Sequence, residues 1–180
     1  DNYGYKNLRS FPLLVEVNNQ PYIDTRISFN SLLPKNLGDD LEEKLVDYYL
    51  DKLNLNKHLH DKIEFEIVLS SWTFDLESRI DNLPSNFLPN ERFALMETLT
   101  ELTQKIILGN QINNDILRVQ NLARRKKQIV DGDKDKVSEL FWLIEDCKRW
   151  GTLPFAGLAR AAFIATQIFK SLEKKLDSSN

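Results

Sequence analysis

A chain of 180 residues with 42% hydrophobic and 28% charged side chains can bury one sizeable core, which excludes an intrinsically disordered or fibrous protein. Its 24 basic and 27 acidic residues give a formal charge of −3, so there is no overall positive field to gather nucleic acid or an anionic membrane. The single cysteine, Cys147, excludes an intramolecular disulfide and a cysteine-rich zinc site and points to a reducing, cytoplasmic setting.

In chain order, Phe11 to Val17 and Tyr22 to Phe29 are two extended-looking runs separated by the turn residues Asn18-Asn19-Gln20-Pro21, and they read as a hairpin. From Asp39 to Leu53 the apolar residues Leu41, Leu45, Val46, Tyr49, Leu50 and Leu53 recur at helical spacing behind an acidic start. Ile63 to Ser70 alternates Ile63, Phe65, Ile67 and Leu69 with Glu64, Glu66, Val68 and Ser70, the period of a half-buried strand, and a third strand is expected to join the hairpin. Asp75 to Asn90, punctuated by Pro84 and Pro89, reads as a loop.

Everything beyond reads as helix. Asn90-Glu91 opens a run to Leu108 that Gly109-Asn110 closes, and a second run covers Asn114 to Val130 before the turn Asp131-Gly132-Asp133. A third runs from Asp135 to Trp150, and Gly151 is expected to end it. Thr152 then suits an N-cap and Pro154 the first turn of a last helix. Apolar and small residues from Phe155 to Phe169 wrap most of that helix, which predicts a place at the centre of a bundle; the tail after Lys175 is polar and expected to fray. The expected fold is α+β: a small antiparallel sheet, the hairpin plus one further strand, packed with a C-terminal bundle of about four to five helices. One domain is expected over 1–180, sheet-rich over 1–75 and helical over 76–180. No apolar run reaches the ~20 residues that span a bilayer, the N-terminus lacks the order of a signal peptide, and a chain opening on Asp1 is expected to be a fragment of a larger multidomain enzyme.

No phosphate loop, dinucleotide fingerprint, nucleophile elbow or zinc-protease helix occurs in the sequence. His58 and His60 flank Leu59 without a third ligand at metal spacing and read as ordinary loop histidines. The run Arg124 to Lys127 reads as a solvated helix face. If the strand phases hold, Tyr22, Asp24, Arg26 and Ser28 share one side of their strand and Glu64 and Glu66 one side of theirs. A guanidinium between carboxylates can hold the carboxylate and ammonium of an amino acid; the same pattern also describes a solvated outer sheet face with cross-strand pairs. The corner Cys147 to Pro154 sets Lys148 and Arg149 beside an expected helix N-terminus that would attract an anion, or it is a plain helix-helix corner. Arg160 stands alone among small and apolar neighbours, as a substrate clamp or as an ion-pair partner of Glu145 or Asp146.

Four segments carry a resemblance: Asp1-Asn2-Tyr3-Gly4-Tyr5, Pro21-Tyr22-Ile23-Asp24-Thr25-Arg26-Ile27-Ser28-Phe29-Asn30-Ser31, Leu59-His60-Asp61-Lys62-Ile63-Glu64-Phe65-Glu66, and Glu145 to Arg160 with its core Cys147-Lys148-Arg149-Trp150-Gly151-Thr152-Leu153-Pro154. Across almost its whole length the chain resembles the phosphoenolpyruvate-synthase-like, pyruvate-phosphate-dikinase-related phosphotransferases, on the side of the L-glutamine kinases of capsular phosphoramidate synthesis. The last segment is the most specific, and residues 110–135 match least.

The resemblance implies a multidomain enzyme in which an ATP-grasp domain phosphorylates a histidine on a swivelling domain, and the histidine delivers the phosphoryl group to the acceptor. This chain would be the stretch between those domains, itself without cofactor, with ATP and Mg expected in the full-length enzyme. Its partners would be those two domains and a small amino acid, L-glutamine favoured, with neither nucleic acid nor membrane. It lacks the phosphohistidine signature, so neither His58 nor His60 inherits the carrier role, and no residue is expected to be catalytic or to bind metal. Arg26, Ser28, Asn30, Glu64, Glu66, Arg149, Thr152 and Arg160 lie inside the matching segments and are the expected substrate-binding residues. A structural connector without a ligand of its own, and a stand-alone helical interaction module, remain open beside this expectation.

Overall fold

The computed structural model describes residues 3–8 and 10–177; Asp1 and Asn2 of the first resembling segment, and the last three residues of the tail, lie outside them. The architecture is α+β, a two-stranded antiparallel sheet with seven α-helices among the described residues. It divides into two compact units, one formed by the described residues up to Lys105 together with those from Phe163 onward, the other by Ile106–Ala162.

In the first unit, β1 (Leu14–Val17) pairs with β2 (Gln20–Ile23) in the register Val17 to Gln20 and Leu14 to Ile23. The hairpin is tighter than expected, because Asn18 (φ 54°) and Asn19 (φ 59°) alone make the turn. Two consecutive left-handed residues form the turn whose twist matches that of the strands, and asparagine adopts this conformation at little cost. The second strand does not continue to Phe29. The Asp24 carboxylate accepts the Ile27 N–H at 3.0 Å and opens helix α1 (Thr25–Asn30), so an N-cap overrides the β-propensity of Ile23, Thr25 and Ile27.

Helix α2 (Asp39–Leu55) starts after Gly38, whose φ of 85° suits glycine, and carries Asp39, Asp40 and Glu42 in its first turn. Leu41, Leu45, Val46 and Tyr49 are buried as its periodicity predicts. The expected loop after Asp75 contains a short helix, α3 (Leu76–Asp81), before α4 (Pro89–Leu108) begins at its proline. Phe29, Leu33, Leu45, Tyr49, Ile67, Leu76, Leu95 and Leu99 fill the centre of this unit.

The third strand is not formed. Ile63–Ile67 is a π-helical turn, and the chain becomes extended only from Val68. Its partners are side chains instead of a strand. The Leu69 N–H donates to the Tyr49 hydroxyl (3.2 Å), the Tyr5 hydroxyl donates to the Ser70 carbonyl (2.7 Å), and the Trp72 and Phe74 N–H groups donate to the Thr103 (2.8 Å) and Ser171 (3.0 Å) hydroxyls. Buried backbone groups must be paired, and here tertiary side chains do what a sheet edge was expected to do.

In the second unit, α5 (Gln111–Val130) precedes α6 (Lys136–Asp146), which Asp135 caps by accepting the Val137 and Ser138 N–H groups at 3.0 Å. Gly151 does not end this run. The chain passes through a π-helical turn, Cys147–Thr152, straight into α7 (Leu153–Asp177), so Thr152 caps nothing and no helix N-terminus with open N–H groups exists at that corner. Gly151 serves close packing, since a Cβ there would sit 3.2 Å from Leu122 of α5. Beside it the Arg125 guanidinium holds Asp146 with two 2.8 Å bonds and lies 4.6 Å over the Trp150 ring.

Nor is α7 wrapped on all sides. Leu153, Phe155 and Phe169 are half or more exposed, whereas Ile164, Gln167 and Ser171 are buried. The buried stripe, spaced three and four residues apart, is two-thirds polar, because it faces backbone groups that need partners. The unbroken helical stretch Lys136–Asp177 is long and apolar enough, by length and composition, to cross a membrane, with an 18-residue window of mean hydropathy 1.3.

Several carboxylates anchor helix starts and corners. Glu91 binds the Lys44 ammonium and the Leu88 N–H, and these contacts hold its carboxyl below the usual glutamate range. Asp135 is held down by the Ser138 hydroxyl and amide, and Glu145 by the Lys148 ammonium. A carboxyl depressed in the folded state adds stability above its ordinary value and loses it as pH falls through the depressed one. The denaturant midpoint is therefore expected to be level from neutrality to about pH 5 and to fall below about pH 4. Glu91→Gln should lower the neutral plateau and flatten the acid limb, as followed by urea titration.

Candidate functional site

Four cations and two carboxylates meet in a cleft of about 380 Å³ within the first unit: Lys52, Arg79, Lys170 and Lys174 with Glu66 and Asp75. Each arrives for a local reason. Lys52, near the end of α2, donates to the Glu66 (2.6 Å) and Ile67 (3.3 Å) carbonyls left open by the π-helical turn, and Arg79 of α3 donates to the Val68 carbonyl at 3.3 Å. Lys170 and Lys174 are one turn apart on α7, with the Lys170 ammonium 5.4 Å over the Phe65 ring. Asp75 precedes α3 and accepts the Thr73 hydroxyl at 2.7 Å.

Burial, and then the charge of Arg79, pull the Lys52 ammonium below the ordinary lysine range, with Glu66 opposing them. A site that already disfavours its own positive charge gains when an anion enters.

Gln167 forms part of the lining. It is 6% exposed, its Nε2 donates to the Glu64 carbonyl at 2.8 Å, and its Oε1 has no hydrogen-bond partner among the described residues. An unpaired buried amide oxygen costs roughly 1–3 kcal/mol, so the cleft carries an acceptor that a ligand N–H or O–H would satisfy. Ser171, also in the lining, has its hydroxyl committed to the Ile168 carbonyl at 2.8 Å. The described residues of the lining include neither imidazole nor thiol.

Of the residues expected from sequence, Glu66 lines the cleft and Glu64 supplies a backbone carbonyl to Gln167. Arg26, Ser28 and Asn30 lie on α1, not on a strand. Arg26 pairs with Asp47 at 2.7 Å in the open, and the Asn30 amide donates to the Arg26 carbonyl. Arg149, exposed, pairs with Glu145 at 3.4 Å, and exposed Thr152 sits in the π-helical turn of the second unit. Arg160 is half-buried on α7; Asp146 is engaged by Arg125, and Glu145 by Lys148 and Arg149.

His60 is exposed with its Nδ1 3.1 Å from the Lys57 carbonyl. No group of three or more His, Cys, Asp or Glu among the described residues is placed to hold a metal ion.

Lys52, Arg79, Gln167, Lys170 and Lys174 were not anticipated. Lys170 and Lys174 do carry a signal, two lysines on one face of a largely apolar helix with Gln167 a turn below. Comparison with protein-family models, with curated proteins and with solved structures finds no match.

Proposed function

We propose that this chain is the acceptor-holding central segment of an ATP-dependent phosphotransferase of the phosphoenolpyruvate-synthase type, with L-glutamine the favoured acceptor. The observation that carries the proposal is the cleft, where cations, carboxylates and an unpaired buried amide acceptor converge. Arg79 and Lys52 suit the ligand's α-carboxylate, Glu66 and Asp75 its ammonium, and Gln167 Oε1 the N–H of a side-chain amide. Orienting an acceptor in this way contributes several kcal/mol to a transfer without any acid-base group of its own. ATP, Mg and the carrier histidine belong to the neighbouring domains. The exposed free thiol of Cys147 suits a reducing, cytoplasmic compartment.

Titration calorimetry of the chain with L-glutamine is expected to give a saturable signal in the millimolar range or tighter, lost at least about 10-fold in Arg79→Gln, since a charge-assisted pair contributes on the order of 1.5–3 kcal/mol. A second reading, a connector that packs against another domain, is favoured by the exposed apolar residues Val137, Leu140, Phe141, Ile144 and Phe155 of the second unit. A flat thermogram belongs to that reading and counts against the first.

A further inference from the structure

We propose that the outer edge of β1 is a dimerisation edge, on which a second copy of this chain pairs its own β1 antiparallel about a two-fold axis through Val15, so that two hairpins form one four-stranded sheet. A two-stranded hairpin is marginal in water unless a further strand or a helix covers it, yet every residue of β1 and β2 except Val15 is exposed. Leu14, Val17, Tyr22 and Ile23 are each 52–61% exposed, and large apolar residues gathered on so small an element mark a contact surface. None of them lines the cleft, so the acceptor reading neither supports nor needs this contact.

The register decides which edge is open and what fits it. The Asp24 N–H donates to the Leu13 carbonyl at 2.8 Å. Hydrogen-bonded and non-hydrogen-bonded pairs alternate along an antiparallel ladder, so Val15 with Tyr22 and Val17 with Gln20 turn their backbone groups inward, and those of Leu14 with Ile23 and Glu16 with Pro21 point out. On β2 the outward edge is blunted by Pro21, which has no N–H to offer. On β1 the outward groups of Leu14 and Glu16 have no hydrogen-bond partner among the described residues; Pro12 bounds them on one side and the Asn18-Asn19 turn on the other. Two open residues at this spacing are self-complementary. With Val15 on the axis, Leu14 of each copy meets Glu16 of the other, and about four backbone hydrogen bonds close. Moving the axis to Glu16 sets two like charges directly opposite, and moving it to Leu14 sets Glu16 against Pro12, which cannot donate. The Val15 axis also lays Tyr22 and Val15 of both copies in one apolar row, with Val17 beside the second copy's Leu13.

Sedimentation velocity of the 180-residue chain from about 10 to about 500 μM is expected to show a reversible monomer–dimer equilibrium with Kd on the order of 100 μM, since small interfaces are weak ones. Glu16→Pro removes one outward N–H per copy and leaves the inward pairs with β2 intact, as Pro21 does, and should weaken the dimer about 10-fold or more. Glu16→Gln keeps the backbone and should leave Kd within about 3-fold. Far-UV circular dichroism is the folding control. A second readout is independent of any effect of proline on the hairpin. With the exposed Cys147 replaced, Cys147→Ser, Val15→Cys sets two thiols across the axis in a non-hydrogen-bonded pair, with Cα atoms about 4.5 Å apart, a separation that suits a disulfide. Leu14→Cys instead meets Glu16. Mild oxidation should link Val15→Cys into dimers at least about 5-fold faster than Leu14→Cys, although Leu14 is the more exposed of the two. A chain that stays monomeric at about 500 μM, a Kd that Glu16→Pro leaves unchanged, or faster linking through Leu14→Cys overturns the inference.

Discussion

Arg92→Ala is expected to be among the most destabilising single substitutions in the first unit. All five guanidinium N–H groups are used there. Nε donates to the Phe87 carbonyl (3.1 Å), one terminal nitrogen to the Ile80 and Asp81 (3.1 Å) carbonyls, and the other to Leu83 (2.8 Å) and Pro84 (2.9 Å). These carbonyls close α3 and line the turn that leads into α4, and those of Ile80 and Pro84 also accept the Leu83 (3.1 Å) and Phe87 (3.0 Å) N–H groups. Removing the guanidinium takes a donor from all five carbonyls at once, at a cost of about 3 kcal/mol after partial rehydration, or a fall of roughly 10 °C in Tm for a chain of this size. Arg92→Lys keeps the charge and recovers less than half, because one ammonium cannot span five acceptors. A fall under about 2 °C in a thermal melt would mean that water replaces these bonds at no cost.

The second large effect is expected where a strand was anticipated and none forms. Tyr49 is fully buried, and burial drives its phenol well above the ordinary tyrosine range. Its oxygen accepts the Leu69 N–H, while Tyr5 donates to the next carbonyl, that of Ser70. Tyr49→Phe leaves a buried N–H without its acceptor for about 1–2 kcal/mol, and Tyr5→Phe together with Tyr49→Phe should cost about 3 kcal/mol. The specific readout is amide exchange. Leu69 should exchange faster in Tyr49→Phe, whereas amides in the middle of α4 should keep their order of protection; an unchanged Leu69 rate would remove the tyrosine from this role.

Much of the fold was legible because periodicity is a local signal. Leu41, Leu45, Val46 and Tyr49 mark the buried face of α2 as expected, and Gly109-Asn110 follows the last turn of α4. Pattern failed where a side chain outbid it. The alternation from Ile63 to Ser70 has the period of a strand, yet Tyr49 and Tyr5 satisfy its Leu69 N–H and Ser70 carbonyl, Thr103 and Ser171 take the Trp72 and Phe74 N–H groups just beyond it, and the earlier residues coil into a π-helical turn. The Asp24 cap likewise turned half of an expected strand into α1.

Gly151 looked like a helix end but is a point of close approach to Leu122, a meaning that only tertiary neighbours can give it. The cleft was invisible for the same reason. Lys52, Glu66, Arg79 and Lys170 come from four separate elements, and only Glu66 belonged to a segment singled out beforehand. The resemblance directed attention to Arg149, Thr152 and Arg160, which lie in the second unit, while the charge that suits an amino-acid ligand gathers in the first.

The most direct measurement is a backbone amide NMR titration of the chain with L-glutamine, which reports both whether the ligand binds and where. Saturable shifts concentrated at Phe65, Glu66, Arg79, Gln167 and Ser171, residues of the cleft, are the predicted result. Shifts confined to Arg149, Thr152 and their neighbours, or no shift at tens of millimolar ligand, would contradict the claim that this cleft holds the acceptor.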